Sequence, residues 1–254
     1  MGLCLMPRHF LEIAFLGTAY RGWQLQPDRP TVQGEVERAM RRVLQLPKLG
    51  VVGCGRTDTG VHASQYYLHF DAPEEVRIDD RLVHGLNSLL PDDIAARRVF
   101  PVAPEDHARF SATERGYGYH IHRHKDPFIE GRSYLLRPEL DVEAMDRACR
   151  VLVGRQDFSS FCKAGSDSRT MICDVREARW ERTAAGCRFI IKADRFLRNM
   201  VRAIVGTSLR IGKGQRPAED MALVLAAHDR SAAGKSAPAR GLYLDRVIYP
   251  FLQA

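Results

Sequence analysis

"VVGCGRTDTGVHASQYYLHFD" runs from Val51 to Asp71. Val51 to Cys54 read as a strand-like approach, and "HASQYYLHFD" as an aromatic-rich strand that leaves. Between them lies a short polar loop with glycine at both shoulders. The loop carries Asp58 between two threonines, with Arg56 two residues earlier. Two readings of Asp58 are open on the loop alone. In one it is a turn residue bonded to its own backbone; in the other it is a catalytic acid on a rigid platform.

Upstream, Phe10–Gly17 read as a strand, followed by the turn-rich "TAYRGWQLQPDRP". A helix is predicted next, with Thr31 as N-cap and an apolar stripe of Val32, Val36, Ala39, Met40, Val43 and Leu44. Downstream, 79–90 form a second helix stopped by Pro91, and 93–100 a strand. "RGYGYHIHR" (115–123) is a strand with Tyr117, Tyr119 and Ile121 on one face. Residues 141–154 are a third helix ended by Gly154, and 175–194 a hairpin turning at Gly186. Periodicity predicts a fourth helix over 195–212. At about 100° per residue, Arg195, Arg198 and Arg202 then share one side, within about 60°; a solvated cationic face is the plain reading of that stripe. A short helix over 218–228, a flexible "SAAGKSAPARG" (231–241) and a closing strand over 242–251 complete the chain. Irregular alternation with hairpins favours α+β over a doubly wound parallel sheet.

The chain of 254 residues has a net charge of +7. The first 112 residues hold 13 lysines and arginines against 14 acids, the remainder 25 against 17. A basic excess confined to one half suits a polyanionic partner. No apolar run reaches the roughly 18 residues of a membrane span, and "MGLCLMPRHF" lacks the basic region and length of a signal peptide. Six cysteines (4, 54, 149, 162, 173 and 187) show neither C-x-x-C pairing nor zinc spacing. They read as buried free thiols of a cytoplasmic protein. His120, His122 and His124 share a strand face, which suits a polar edge or RNA contact better than a metal.

A Walker loop, a dinucleotide turn and a nucleophile elbow are all missing from the sequence. What stands out is one aspartate, several arginines and strand-borne tyrosines. That set suits an RNA-facing enzyme working through a carboxylate, with no metal and no cofactor.

"GRTDTGVHA" (55–63) closely resembles the G-R-T-D-x-G-V-H-A signature of the bacterial tRNA pseudouridine synthase A family. So do "GTAYRGWQLQ" (17–26), "TVQGEVERAM" (31–40), "LNSLLPDDI" (86–94), "HARFSATERGYGYHI" (107–121), "DFSSFCK" (157–163), "FLRNMVRAIVG" (196–206) and "SAPARGLYL" (236–244), in the family's order along nearly the whole chain. The resemblance implies an α+β fold of two halves related by a pseudo-twofold, 1–112 and 113–254. Their antiparallel sheets are expected side by side, with helices on one side and a basic cleft between the halves. It also implies a homodimer that grips tRNA across both subunits.

The implied activity is isomerisation of uridine to pseudouridine at positions 38 to 40 in the anticodon arm of tRNA. By resemblance Asp58 is the nucleophile, Tyr117 packs on the target base, and Arg202 pairs with the catalytic aspartate. Arg56 helps displace or hold the target nucleotide. Arg195 and Arg198 extend the contact to RNA phosphate, and Leu242 and Leu244 line the uracil pocket or simply the core. His62 is read as structural, and Trp23 and Gln24 as shaping the opening loop. "FLGT" (15–18) departs from the family's commoner Y-D-G-T, and Thr59 and Gly118 also stand at departures. These affect local RNA contacts. A tRNA-binding or folding module without catalysis, and a synthase acting on another RNA, are the alternatives.

Overall fold

Residues 6–165 and 169–252 are described in the structure, a computed structural model. Cys4 and the first half of the "MGLCLMPRHF" stretch lie outside them. The chain forms two units. The first comprises Met1–Thr113 with Leu244–Ala254, the second Glu114–Tyr243. The split therefore differs from a single cut after residue 112, because the chain returns to the first unit at Leu244.

In the first unit, β1 (Arg8–Phe15) buries Phe10, Leu11 and Ile13 completely. It lies between β3 (His62–Asp71) and β4 (Ile94–Val102), antiparallel to both. β10 (Leu242–Ile248) adds on the far side of β3, giving the order β4-β1-β3-β10. The two-residue β2 (Val52–Gly53) also pairs antiparallel with β3. Ile13 faces Tyr66 but Phe15 faces Ala63, so β3 carries one extra residue there. This bulge is used: Ser64 Oγ donates to Asp245 Oδ1 at 2.8 Å, and Gln65 Oε1 accepts from Val247 N–H at 3.0 Å.

The predicted first helix is present as α1 (Val32–Leu44), with Thr31 Oγ1 accepting from Gly34 N–H. The second is α2 (Asp80–Asn87), capped by Asp79. α1 packs on α2, and α2 on β4. A polar cluster sits within the sheet. Glu12 is buried and accepts from Tyr67 Oη at 2.9 Å and from Arg98 Nε at 2.6 Å. Burial, then the Glu12 bond, pushes the Tyr67 phenol up to about 12. Two residues further along β3, His69 Nδ1 accepts from Ala108 N–H at 3.1 Å. Burial, with Arg8 and His107 beside it, lowers this imidazole to about 4.

In the second unit, β5 (Glu114–His122), β9 (Gly186–Ala193), β8 (Ile172–Thr183) and β7 (Gly154–Asp157) pair antiparallel in that order. The short β6 (Tyr134–Leu135) runs parallel to β5. α3 (Val142–Cys149) packs on β8 and on α4 (Met200–Gly212), and α5 (Asp220–Ala226) packs on α3. Gly154 does not end a helix; it has φ +113 and opens β7. Five cysteines (54, 149, 162, 173 and 187) are free and buried, and burial raises the Cys149 and Cys173 thiols to about 12. Among the described residues, no helix is long and apolar enough to cross a membrane.

Candidate active site

The Asp58 loop hangs from β3 and is braced by the opening loop of the first unit. Cys54 N–H donates to Tyr67 O at 2.8 Å, which continues the β2 pairing towards the loop. Tyr66 Oη then donates to Gly55 O at 2.5 Å. The Trp23 ring lies 4.3 Å from that of Tyr66, and the Trp23 ring and the Tyr66 hydroxyl crowd Gly53 so closely that a β-carbon there would collide with them. Asp58 itself opens a tight turn in which Val61 N–H donates to Asp58 O at 3.1 Å and Gly60 has φ +77.

The opening loop holds the turn through main chain. Trp23 N–H donates to Thr57 O, and Gly60 N–H to Tyr20 O, each at 3.3 Å. Gly22 has φ +91, and a side chain there would strike Thr57 O. Gly17 is held just as closely. Its N–H donates to His62 Nδ1 at 3.0 Å, and a β-carbon would run into Val61 O. His62 is fully buried, so the structural reading of this imidazole is the one observed. Asp58 is half-buried, Arg56 is exposed, and the Thr57 hydroxyl is buried without a hydrogen-bond partner.

Two further residues that sequence reasoning passed over hold this platform. Glu37, buried on α1, accepts from Gln33 Nε2 at 2.9 Å, Val51 N–H at 3.2 Å and Arg41 at 2.7 Å. Gln33 Oε1 in turn accepts from Leu25 N–H at 3.0 Å. One helix thus fixes both the opening loop and the approach to β2. The signal was available: Gln33 and Glu37 are four apart and adjoin the apolar positions Val32 and Val36, where a carboxylate needs partners.

In the second unit, Tyr117 is half-buried on β5, opposite Ile191. Its ring meets that of Phe196 edge-on, with centroids 5.0 Å apart. Tyr119, one step further on that face, is fully buried, and its hydroxyl donates to Pro238 O at 2.8 Å.

The expected arginine stripe is not formed. α4 begins at Met200, so Arg195 and Arg198 lie in the loop before it and only Arg202 is helical. Asn199 is left-handed, with φ +66, which breaks any helix entering from Arg195. The loop has its own anchors: Asp194 Oδ1 accepts the N–H groups of Asp174 and Arg195 at 2.8 and 2.7 Å. Arg198 O accepts Lys163 N–H at 3.0 Å. Arg198 is exposed and Arg195 half-buried.

Arg202 is clamped by the segment expected to be flexible. Its Nε donates to Ala237 O at 2.7 Å, while Ala237 N–H donates back to Arg202 O at 2.9 Å. The segment lies directly on α4. A β-carbon at Gly206 would collide with Lys235 O, and Gly234 N–H donates to Thr207 Oγ1 at 2.9 Å. Ser236 Oγ accepts from Asn199 Nδ2 at 2.5 Å and from Arg230 at 3.1 Å. Its small residues permit close packing rather than motion. Leu242 and Leu244 are both buried positions of β10. Among the described residues, no group of three histidine, cysteine, aspartate or glutamate side chains is placed to hold a metal ion.

A protein from Porphyromonas gingivalis named tRNA pseudouridine synthase A is 46% identical over 248 residues, covering 96% of this chain and 98% of its own. The chain belongs to the tRNA pseudouridine synthase A family. A second tRNA pseudouridine synthase A, from Parabacteroides distasonis, is 45% identical over 245 residues, covering 96% of this chain and 97% of that one. One from Bacillus licheniformis is 40% identical over 240 residues, covering 93% and 97%. A family profile described as tRNA pseudouridine synthase matches residues 148–250. Membership of this isomerase family, and the mixed α+β architecture with mostly antiparallel strands, agree with what the motifs implied.

Proposed function

We propose that the protein converts uridine to pseudouridine in tRNA, at one or more of positions 38 to 40 of the anticodon arm, with Asp58 as the nucleophilic carboxylate. The observation that carries this reading is the near full-length identity to proteins named tRNA pseudouridine synthase A. The built turn around Asp58 supports it. A catalytic group must keep its aim, and main-chain bonds to Tyr20 and Trp23 fix this one.

The reaction conserves atoms. The C1′–N1 bond breaks, the uracil turns, and a C1′–C5 bond forms; the hydrogen at C5 leaves as a proton and N1 gains one. Asp58 supplies the carboxylate that acts on the nucleotide as that bond opens, once the base has left its stack. Tyr117 offers a ring for the uracil to stack on and a hydroxyl for proton transfer near C5. Arg202 supplies the guanidinium of this reading, a fixed donor for an anionic group. Arg56, Arg195 and Arg198 contact RNA phosphate, and Leu242 and Leu244 border the base. A homodimer that binds tRNA across both subunits, working in the cytoplasm where that RNA resides, belongs to the same reading.

The test is pseudouridine mapping on unmodified tRNA with uridine at positions 38, 39 and 40, for wild type and Asp58→Ala. Conversion by wild type, with at least a thousandfold loss in a variant that still binds tRNA, is expected. Binding by wild type without pseudouridine would refute the reading and favour a binding module.

A further inference from the structure

A concave pocket of about 440 Å³ opens in the second unit beside α4. Its floor includes Gly206 and Leu209, and its rim carries Arg210, Lys213 and Lys235. All three cations are exposed, and none has a carboxylate partner among the described residues. No acid lines the pocket. Several other cations of this unit are neutralised locally: Arg150 by Asp146, Arg176 by Glu114, Arg182 by Glu143 and Arg216 by Asp220. Complementing the end of the α4 dipole accounts for Arg210 and Lys213. It does not account for Lys235, which comes from another segment and closes the same concavity.

The pocket shares a wall with the Arg202 clamp. Ala237, which grips Arg202 in both directions, also lines the pocket. Arg210 follows Arg202 by eight residues, about 12 Å along the helix axis.

We propose that Arg210, Lys213 and Lys235 form a phosphate-binding subsite for the RNA backbone. The proposal rests on the reading that tRNA is the substrate. Three unpaired cations facing one cavity concentrate positive potential there, and a phosphodiester needs no base-specific contact to be held. The subsite adds affinity and register, not chemistry.

The experiment compares wild type, the triple variant Arg210→Gln/Lys213→Gln/Lys235→Gln, and a charge-matched control, Arg29→Gln/Arg42→Gln/Lys48→Gln, drawn from exposed cations of the first unit. Thermal unfolding first establishes that all three are folded. tRNA affinity is then measured across a salt series, with pseudouridine formation on the same RNA. The pocket variant is expected to lose about 2 to 3 from the slope of log K against log salt, and to raise KM at least fivefold. Its turnover at saturating tRNA should stay within twofold of wild type and its control should behave as wild type. Equal losses in the two triple variants, or none in the pocket variant, would overturn the proposal. If tRNA binding is unchanged while pyrophosphate stabilises wild type alone, the site serves a free polyphosphate and the RNA assignment falls. If wild type makes no pseudouridine but the slope difference persists, the reaction is misread while the RNA subsite stands.

Discussion

Asp58 owes its position to atoms that are not its own. The bond from Tyr66 Oη to Gly55 O ties the loop's first residue to β3, and Trp23 covers that tyrosine. Tyr66→Phe removes one hydroxyl and leaves a carbonyl short of a donor, a loss of about 1–2 kcal/mol. Urea unfolding should register that loss. Turnover should fall about tenfold or more with KM little changed, since binding groups are untouched. A stability loss with full turnover would mean the turn keeps its shape without this bond. Residue identity here was legible in sequence: nine consecutive residues around Asp58 carried the resemblance, and Gly22 and Gly60 stand where the backbone has positive φ. The partners of the turn were not, because a main-chain bond such as Trp23 N–H to Thr57 O leaves no mark on side-chain pattern.

Among the elements, α4 shows where pattern and structure part. Apolar periodicity runs unbroken from Phe196 to Ile211, yet the helix starts at Met200 because Asn199 is left-handed and Asp194 secures the preceding loop. Periodicity measures which residues are buried, and Leu197 is buried without being helical. The 231–241 segment misleads in the opposite direction, since small residues serve either motion or close approach. Gly206 decides for approach. Gly206→Ala would force Lys235 O away from the helix and with it the Ala237 clamp on Arg202. Overpacking of this kind costs about 1–3 kcal/mol. The unfolding midpoint should fall accordingly, and pseudouridine formation should drop further than Arg202's distance from the substitution suggests. Restoration of activity by a compensating deletion of bulk is impossible where the colliding atom is main chain, so a second-site variant at Lys235 should not rescue it.

For the whole molecule, acid tolerance is set partly by His69. Its folded pKa is about 4, against an ordinary value of 6.5, because burial and the nearby Arg8 and His107 disfavour the cation while Asp71 favours it. The unfolded chain binds this proton more readily, so the stabilisation is complete above about pH 6.5 and is lost progressively as pH falls towards 4. Between pH 7.5 and 5, wild type should lose about 1–2 kcal/mol more stability than His69→Gln, which offers an acceptor to Ala108 N–H but does not titrate there. Urea midpoints at the two pH values decide it; equal losses would show that His69 is not a source of the pH dependence.

The return of the chain to its first unit has a consequence for biosynthesis. Residues 114–243 are contiguous, so that unit has all its strands once Tyr243 has been made. The earlier-made unit must wait. Until residues 244–248 leave the ribosome, β3 lacks its β10 neighbour, and the Ser64–Asp245 and Gln65–Val247 bonds at its bulge cannot form. At roughly 5–20 residues per second, synthesis of the 130 intervening residues leaves that edge open for about 7–26 seconds. For that interval, the strand leading out of the Asp58 turn is a nascent edge that the cell has to keep from pairing with the wrong chain.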